Sequence, residues 1–211
     1  MIKEFCAENH TDIAAAIAAG AKRIELCDNL AVGGTTPSPG VVSYVCRLGE
    51  AHQVSVMTMI RPRGGNFVYT KDEIGIMMED IAMARACGTD GVVFGALRPD
   101  HQLDKSSMEA LIEASEGLEI VCHMAFDLLT PADQLEAIDW LASRGVTRIL
   151  THGGPAGTRI EDNFHWLAQL VNHAQGNIAI LAGGGVSLEN YQEVMAKTGV
   201  AEVHGTKICK L

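Results

Sequence analysis

The chain has 211 residues, 47% of them hydrophobic, with 16 basic against 26 acidic side chains and a formal net charge of -10. That length suits one domain, residues 1–211, around one core, and the acidic balance repels phosphate backbones and anionic lipid, which argues against nucleic acid or a membrane surface as partner. No apolar run approaches the roughly 20 residues that span a bilayer, Met1-Ile2-Lys3-Glu4 carries no signal-peptide pattern, and six cysteines without a Cys-x-x-Cys pair suit free thiols in the cytoplasm.

Ile2 to Cys6 reads as a first strand. The helix that follows has an apolar stripe of Ile13, Ala14, Ile17 and Ala18 and stops at Gly20. Gly20 opens a recurring unit: a glycine suited to the left-handed position that ends a helix, then a short β-branched strand. Ile24-Glu25-Leu26 is the strand that follows Gly20. Ser38-Pro39 starts the next helix with a capping hydroxyl before a first-turn proline, and Val54 to Ile60 supplies the third strand. Gly88 precedes Val92-Val93-Phe94, Gly117 precedes Ile120-Val121-Cys122, and Thr130-Pro131, with Asp133 completing a capping box, starts another helix. Gly145 precedes Ile149-Leu150-Thr151, Gly176 precedes Ile178-Ala179-Ile180, and Gly199 precedes Val203-His204.

Eight strands alternating with helices predict an α/β fold of parallel βα units, a closed (β/α)8 TIM-type barrel rather than an open doubly wound sheet. Units two, four, six and eight align on their glycines. The fourth residue after each, Ile24, Val92, Ile149 or Val203, should pack on helices, and the third, fifth and seventh should point into the barrel. Only Lys207 to Leu211 follow the last strand, too little for an eighth helix. Val203 and Phe5 would then be uncovered, and a homo-oligomer is expected to cover them.

Strand interiors of barrels favour branched aliphatics, so the inward pairs Glu4 with Cys6 and Glu25 with Cys27 stand out. A buried carboxylate needs a partner, and Arg61 is the candidate for Glu25 or Glu4. Arg61 and Arg63, in Ile60-Arg-Pro-Arg-Gly-Gly-Asn-Phe67, could clasp a carboxylate or phosphate. His123 and Asp127 at the end of strand five read as base and orienter or as a satisfied core histidine, and Glu4, Glu25, Arg61, His123 and His204 are expected to converge at the mouth above a sulfur-rich interior. Gly183, Gly184 and Gly185, before a helix capped by Ser187, could receive a phosphate. Cys6 and Cys27, with Met57 or Met59 nearby, are soft donors that select Cu(I), although sulfur side chains also fill cores.

The ordered set Glu4-Phe-Cys6, Arg23-Ile-Glu-Leu-Cys27, Gly33-Gly-Thr-Thr-Pro-Ser38, Ile60 to Phe67, Cys122-His-Met-Ala-Phe-Asp127 and Glu202-Val-His204 resembles the CutC family of copper homeostasis proteins from end to end. The resemblance implies a TIM-type barrel in the cytoplasm with a part in copper handling. The chain departs from the family pattern at Met124, where arginine is usual, and at His152, where serine is common, and its C-terminus is shorter. Two functions follow as expectations: Cu(I) binding through Cys6 and Cys27, or isomerase or lyase chemistry on a small anionic or phosphorylated metabolite. In the second, Arg61 and Arg63 hold the anion, Glu25 or His123 moves a proton, and Asp127 and His204 orient and polarise.

Overall fold

Eight parallel strands bond to one another in chain order, and the last pairs back onto the first, so the sheet closes into a barrel. The structure is a computed structural model that describes residues 1–155 and 157–211. Its strands are β1 (Ile2–Glu8), β2 (Arg23–Cys27), β3 (Ser55–Met59), β4 (Gly91–Phe94), β5 (Glu119–Cys122), β6 (Arg148–Thr151), β7 (Ala179–Ala182) and β8 (Glu202–Gly205). Between them run α1 (Ile13–Ala18), α2 (Pro39–His52), α3 (Lys71–Ala86), α4 (Lys105–Ala114), α5 (Pro131–Ser143), α6 (Phe164–Ala174) and α7 (Tyr191–Thr198). Among the described residues no helix follows β8.

The glycine rule sets the punctuation. Gly20, Gly88, Gly117, Gly145, Gly176 and Gly199 all have positive φ, between 78° and 94°, where a Cβ would be strained. The end of α2 lacks a glycine because Gln53 takes the left-handed position itself, at φ 57°. Ser38 caps α2 by accepting from the Val41 N–H, as its place before Pro39 predicts. Thr130 caps α5 in the same way, but Asp133 does not close a box: its carboxylate accepts from the Thr130 hydroxyl instead of the Thr130 N–H. A complete box stands at the start of α3, where Thr70 and Glu73 exchange both bonds.

Period two then sorts the side chains into two cores. Ile24, Val92, Ile149 and Val203 are fully buried between sheet and helices. Cys6, Cys27, Met57, Met59, Val93, Val121, Leu150 and Leu181 form a second cluster inside the barrel. Strand β7 lies slightly later than its sequence suggests, since Ile178 stays buried ahead of the first paired residue, Ala179.

The seam between β8 and β1 is not open. Phe5 is 4% exposed and Val203 0%, and the C-terminal tail joins the same core cluster, with Ile208 0% exposed and Cys209 7%. The tail is pinned by a bridge between Ser187 and Lys207, with Leu188 N–H donating to the Lys207 carbonyl at 2.8 Å. Five residues thus stand where a helix would, and Phe5 and Val203, which an oligomer was expected to cover, are already buried within the single chain.

Candidate functional site

The bottom layer of the barrel is ionic. Arg23 donates to Glu4 through Nε and to Glu202 through Nη2 at 2.6 Å, while Arg148 donates to Glu202 at 2.9 Å and to Glu119. Each buried charge has an opposite charge, which removing these ions from water requires. Arg23, Arg148 and Glu202 were not singled out from the sequence, yet each is the third residue after its unit's glycine, a position predicted to point inward.

One layer up, Glu4 Oε1 lies 2.7 Å from His204 Nδ1, and His204 Nε2 lies 3.6 Å from Glu25 Oε2. Two thiols meet the same Glu25 oxygen, Cys6 Sγ at 3.3 Å and Cys27 Sγ at 3.6 Å. The strand register explains the meeting: Cys6 stands beside Glu25, and Cys27 is one inward position further along β2. Burial raises the Glu4 carboxyl, but the His204 hydrogen bond and the Arg23 charge outweigh it and hold the group at about 2. Burial pushes Glu25 well above the usual carboxylate range, against the pull of His204. For His204 burial works downward, and the Glu25 charge with hydrogen bonds to Cys6 and Glu4 overcomes it, raising the imidazole well above its ordinary value. The hydrogen bond from Cys27 draws the Cys6 thiol well below its ordinary value, and the same bond together with burial raises the Cys27 thiol well above it.

Arg61 is not the counter-charge of either carboxylate. Its Nη1 donates to the carbonyls of Val32 and Gly34 at 2.9 and 3.0 Å, and its Nη2 to that of Gly65 at 2.8 Å. Glycines at 33 and 34 let that loop close over β3, so Arg61 staples the loop to the mouth. Arg63 does not join Arg61 in a clasp: it pairs with Glu73 and donates to the carbonyls of Asn66 and Val68. Glu4, Glu25 and His204 also lie lower than expected. Since the strands run toward the mouth, Cys6 and Cys27 stand above the carboxylates two residues behind them, so the thiols and not the carboxylates face the mouth.

His123 and Asp127 are both at the mouth but serve different partners. His123 Nδ1 accepts from the Ala125 N–H at 3.2 Å, and its ring packs on Phe67 at 4.7 Å between centroids. Burial and the Arg61 charge depress it to about 3. Asp127 accepts from the Thr151 hydroxyl and from the His152 N–H, and burial still pushes it up to about 6. A cavity of about 670 Å³ opens here, with Phe67, Met124, Asp127 and His152 in its wall. Phe67 and Thr151 carry no chemical signal in sequence; they are found only by folding the chain.

The glycine turn is tightly fitted. A Cβ on Gly183 would stand 2.6 Å from Leu150, and one on Gly184 would stand 3.0 Å from His152 and Met124. Ser187 does not cap the following helix, which begins at Tyr191 after Asn190. The N–H groups of Ser187, Leu188 and Glu189, in the turn that precedes α7, are already bonded to Asn190 Oδ1, the Lys207 carbonyl and the Ser187 hydroxyl.

Residues 1–209 match the model of the CutC family. A CutC-family protein of Enterococcus faecalis is 61% identical over 208 residues, covering 99% of this chain and all of the relative. A human copper homeostasis protein cutC homolog is 36% identical over 203 residues, covering 96% of this chain and 72% of the relative. The crystal structure of a CutC protein from Streptococcus agalactiae superposes with a TM-score of 0.96 at 47% identity, covering 99% of each chain. A deoxyribose-phosphate aldolase from Aeropyrum pernix shares the barrel alone, at TM-score 0.70 and 11% identity.

Proposed function

The chain belongs to the CutC family, and on that premise we propose that it is a cytosolic protein that binds Cu(I) through the Cys6 and Cys27 thiolates inside the mouth of its barrel. The observation that carries the proposal is the convergence of both thiols on one Glu25 oxygen, with the three ligand atoms within 4.8 Å of one another. Thiolate is the donor a soft cation prefers, and the thioethers of Met57 and Met59 lie in the same interior cluster. The residues fit the ion in charge as well. Two thiolates and one Cu(I) leave a single negative charge, and His204, which keeps its proton between Glu4 and Glu25, faces it from below. Gly34 packs a hydrogen where a Cβ would stand 3.1 Å from Cys27 Sγ, so the wall above the thiols is as thin as backbone allows. Copper homeostasis is the role named for the mouse and human relatives.

The test is anaerobic titration with Cu(I) against a chromogenic chelator. The unsubstituted chain should withdraw one equivalent, and the double change Cys6→Ser, Cys27→Ser should abolish the withdrawal. Unchanged affinity in the double variant would place copper elsewhere.

The alternative of an isomerase or lyase built from all the candidate residues finds less support. Arg63 is engaged by Glu73, Glu25 and His204 lie beneath the thiols, and His123 has no bond to Asp127. What remains at the mouth is a smaller group of side chains, Arg61, His123, Asp127 and His152.

A further inference from the structure

Three buried side chains at the mouth have a nitrogen with no partner, and the copper site uses none of them. Arg61 is 4% exposed, and its Nε is unbonded. It also differs from the two guanidiniums lower in the barrel. Arg23 and Arg148 each face two carboxylates, whereas Arg61 faces carbonyl oxygens and, among the described residues, no carboxylate. A guanidinium out of water without an anion is a costly arrangement unless an anion arrives.

The two histidines complement each other. His123 Nδ1 accepts from the Ala125 N–H, so the neutral ring carries its proton on Nε2, and that N–H, in a residue 4% exposed, meets no acceptor. In His152 it is the other nitrogen that lacks a partner. Its Nε2 lies 3.1 Å from the Thr158 carbonyl oxygen, an acceptor, so its proton also sits on Nε2 and its Nδ1 is a bare lone pair that meets no donor. His152 is likewise 4% exposed and forms part of the cavity wall. One ring therefore lacks an acceptor and the other lacks a donor.

His152 lines the cavity directly, and Arg61 and His123 stand behind its Phe67 wall. His123 and His152 continue the inward rows of Val121 on β5 and Leu150 on β6, adjacent strands of the barrel. The Phe67 ring, in the wall of the 670 Å³ cavity, holds Arg61 at 4.8 Å and His123 at 4.7 Å. Asp127, in the same wall, disfavours a second negative charge on whatever binds, which points to a carboxylate rather than a phosphate dianion.

We propose that this mouth is a binding site for a small hydroxycarboxylate, whose carboxylate is received by Arg61 Nε–H and His123 Nε2–H and whose hydroxyl donates to His152 Nδ1. The site is independent of Cu(I), because Arg61, His123 and His152 are not among its ligands. Each unpartnered nitrogen gains the partner it lacks, and a ligand missing either the charge or the hydroxyl leaves one of them unsatisfied.

The test is a titration of the full chain, labelled with ¹⁵N at histidine, with three three-carbon probes: racemic glycerate, propionate and glycerol. Glycerate should shift the His123 Nε2 and His152 Nδ1 signals together and bind about tenfold more tightly than propionate, the factor one added hydrogen bond brings. Glycerol should shift neither. In His152→Phe the advantage of glycerate over propionate should vanish while carboxylate binding persists. The proposal is overturned if glycerate leaves both nitrogens unmoved, if propionate binds as well as glycerate, or if inorganic phosphate displaces glycerate at equal concentration. The nitrogen shifts are read on the unsubstituted chain, so the outcome stands even if the variant fails to fold.

Discussion

Replacing Glu4 by glutamine perturbs the interior at the point where the ion pairs meet the histidine. In the folded chain the Glu4 carboxyl sits at about 2 against an ordinary 4.5, because the His204 hydrogen bond and the Arg23 charge outweigh burial. A difference of about 2.5 units corresponds to roughly 3 kcal/mol of stability. The folded value is the lower one, so this stability is fully present above pH 4.5 and is lost as the pH falls toward 2. Glu4→Gln keeps the shape and removes the charge, leaving Arg23 and His204 each short of a partner. Urea unfolding at pH 7 should show the variant less stable by about 3 kcal/mol, and the gap should narrow steadily below pH 4.5 because the native protein alone loses this contribution. Parallel stability curves for the two proteins from pH 6 to pH 3, or a loss under about 1 kcal/mol at pH 7, would refute the reading of Glu4 as a paired, depressed carboxylate.

Three other perturbations address separate parts of the structure. Ile208→Ala should cost about 2–5 kcal/mol in urea unfolding, since Ile208 is fully buried where an eighth helix would otherwise pack; a loss under 1 kcal/mol would mean the tail does not seal the seam. Thr151→Val removes a donor to Asp127, so the carboxyl should titrate above its present value of about 6 when followed by ¹³C NMR. An unmoved or lowered midpoint contradicts the assigned hydrogen bond. Gly34→Ala places a methyl against Cys27 Sγ at a φ of 86°, and Cu(I) affinity by chelator competition should fall while the affinity of Gly40→Ala, where nothing lies near the added Cβ, stays unchanged. Equal affinities would show that the loop over Cys27 has no bearing on the metal.

Much of the fold was legible because it rests on local rules. A glycine at every helix end but that of α2, with a β-branched run after it, marked six of the eight strands, and period two placed Cys6, Cys27, Glu4, Glu25 and His204 on the interior face. Heights within the barrel follow from strand polarity, which puts Cys27 nearer the mouth than Glu25 on their shared face. The expectation that Glu4, Glu25 and His204 converge above a sulfur-rich interior ran against that polarity. Partners were least legible of all. Arg61 was expected to pair with Glu25 or Glu4 on charge alone, whereas a loop carrying Gly33 and Gly34 brings carbonyl oxygens within reach and satisfies the guanidinium first. The role of Arg23 was open to the inward-position rule, which places Arg23, Arg148 and Glu202 together at the barrel floor. The tail covering β8 and β1 had no sequence signal beyond the apolar Ile208 and Cys209, too short a stretch to read as an element.

The proposal of a Cu(I) site is tested most directly by X-ray absorption at the copper edge on the full chain loaded anaerobically with one equivalent of Cu(I). Sulfur should dominate the first shell in the unsubstituted protein, and Cys6→Ser combined with Cys27→Ser should replace that scattering with oxygen or nitrogen, or leave no bound copper to measure. A sulfur shell that survives the double substitution unchanged would contradict the assignment of copper to the two barrel thiols.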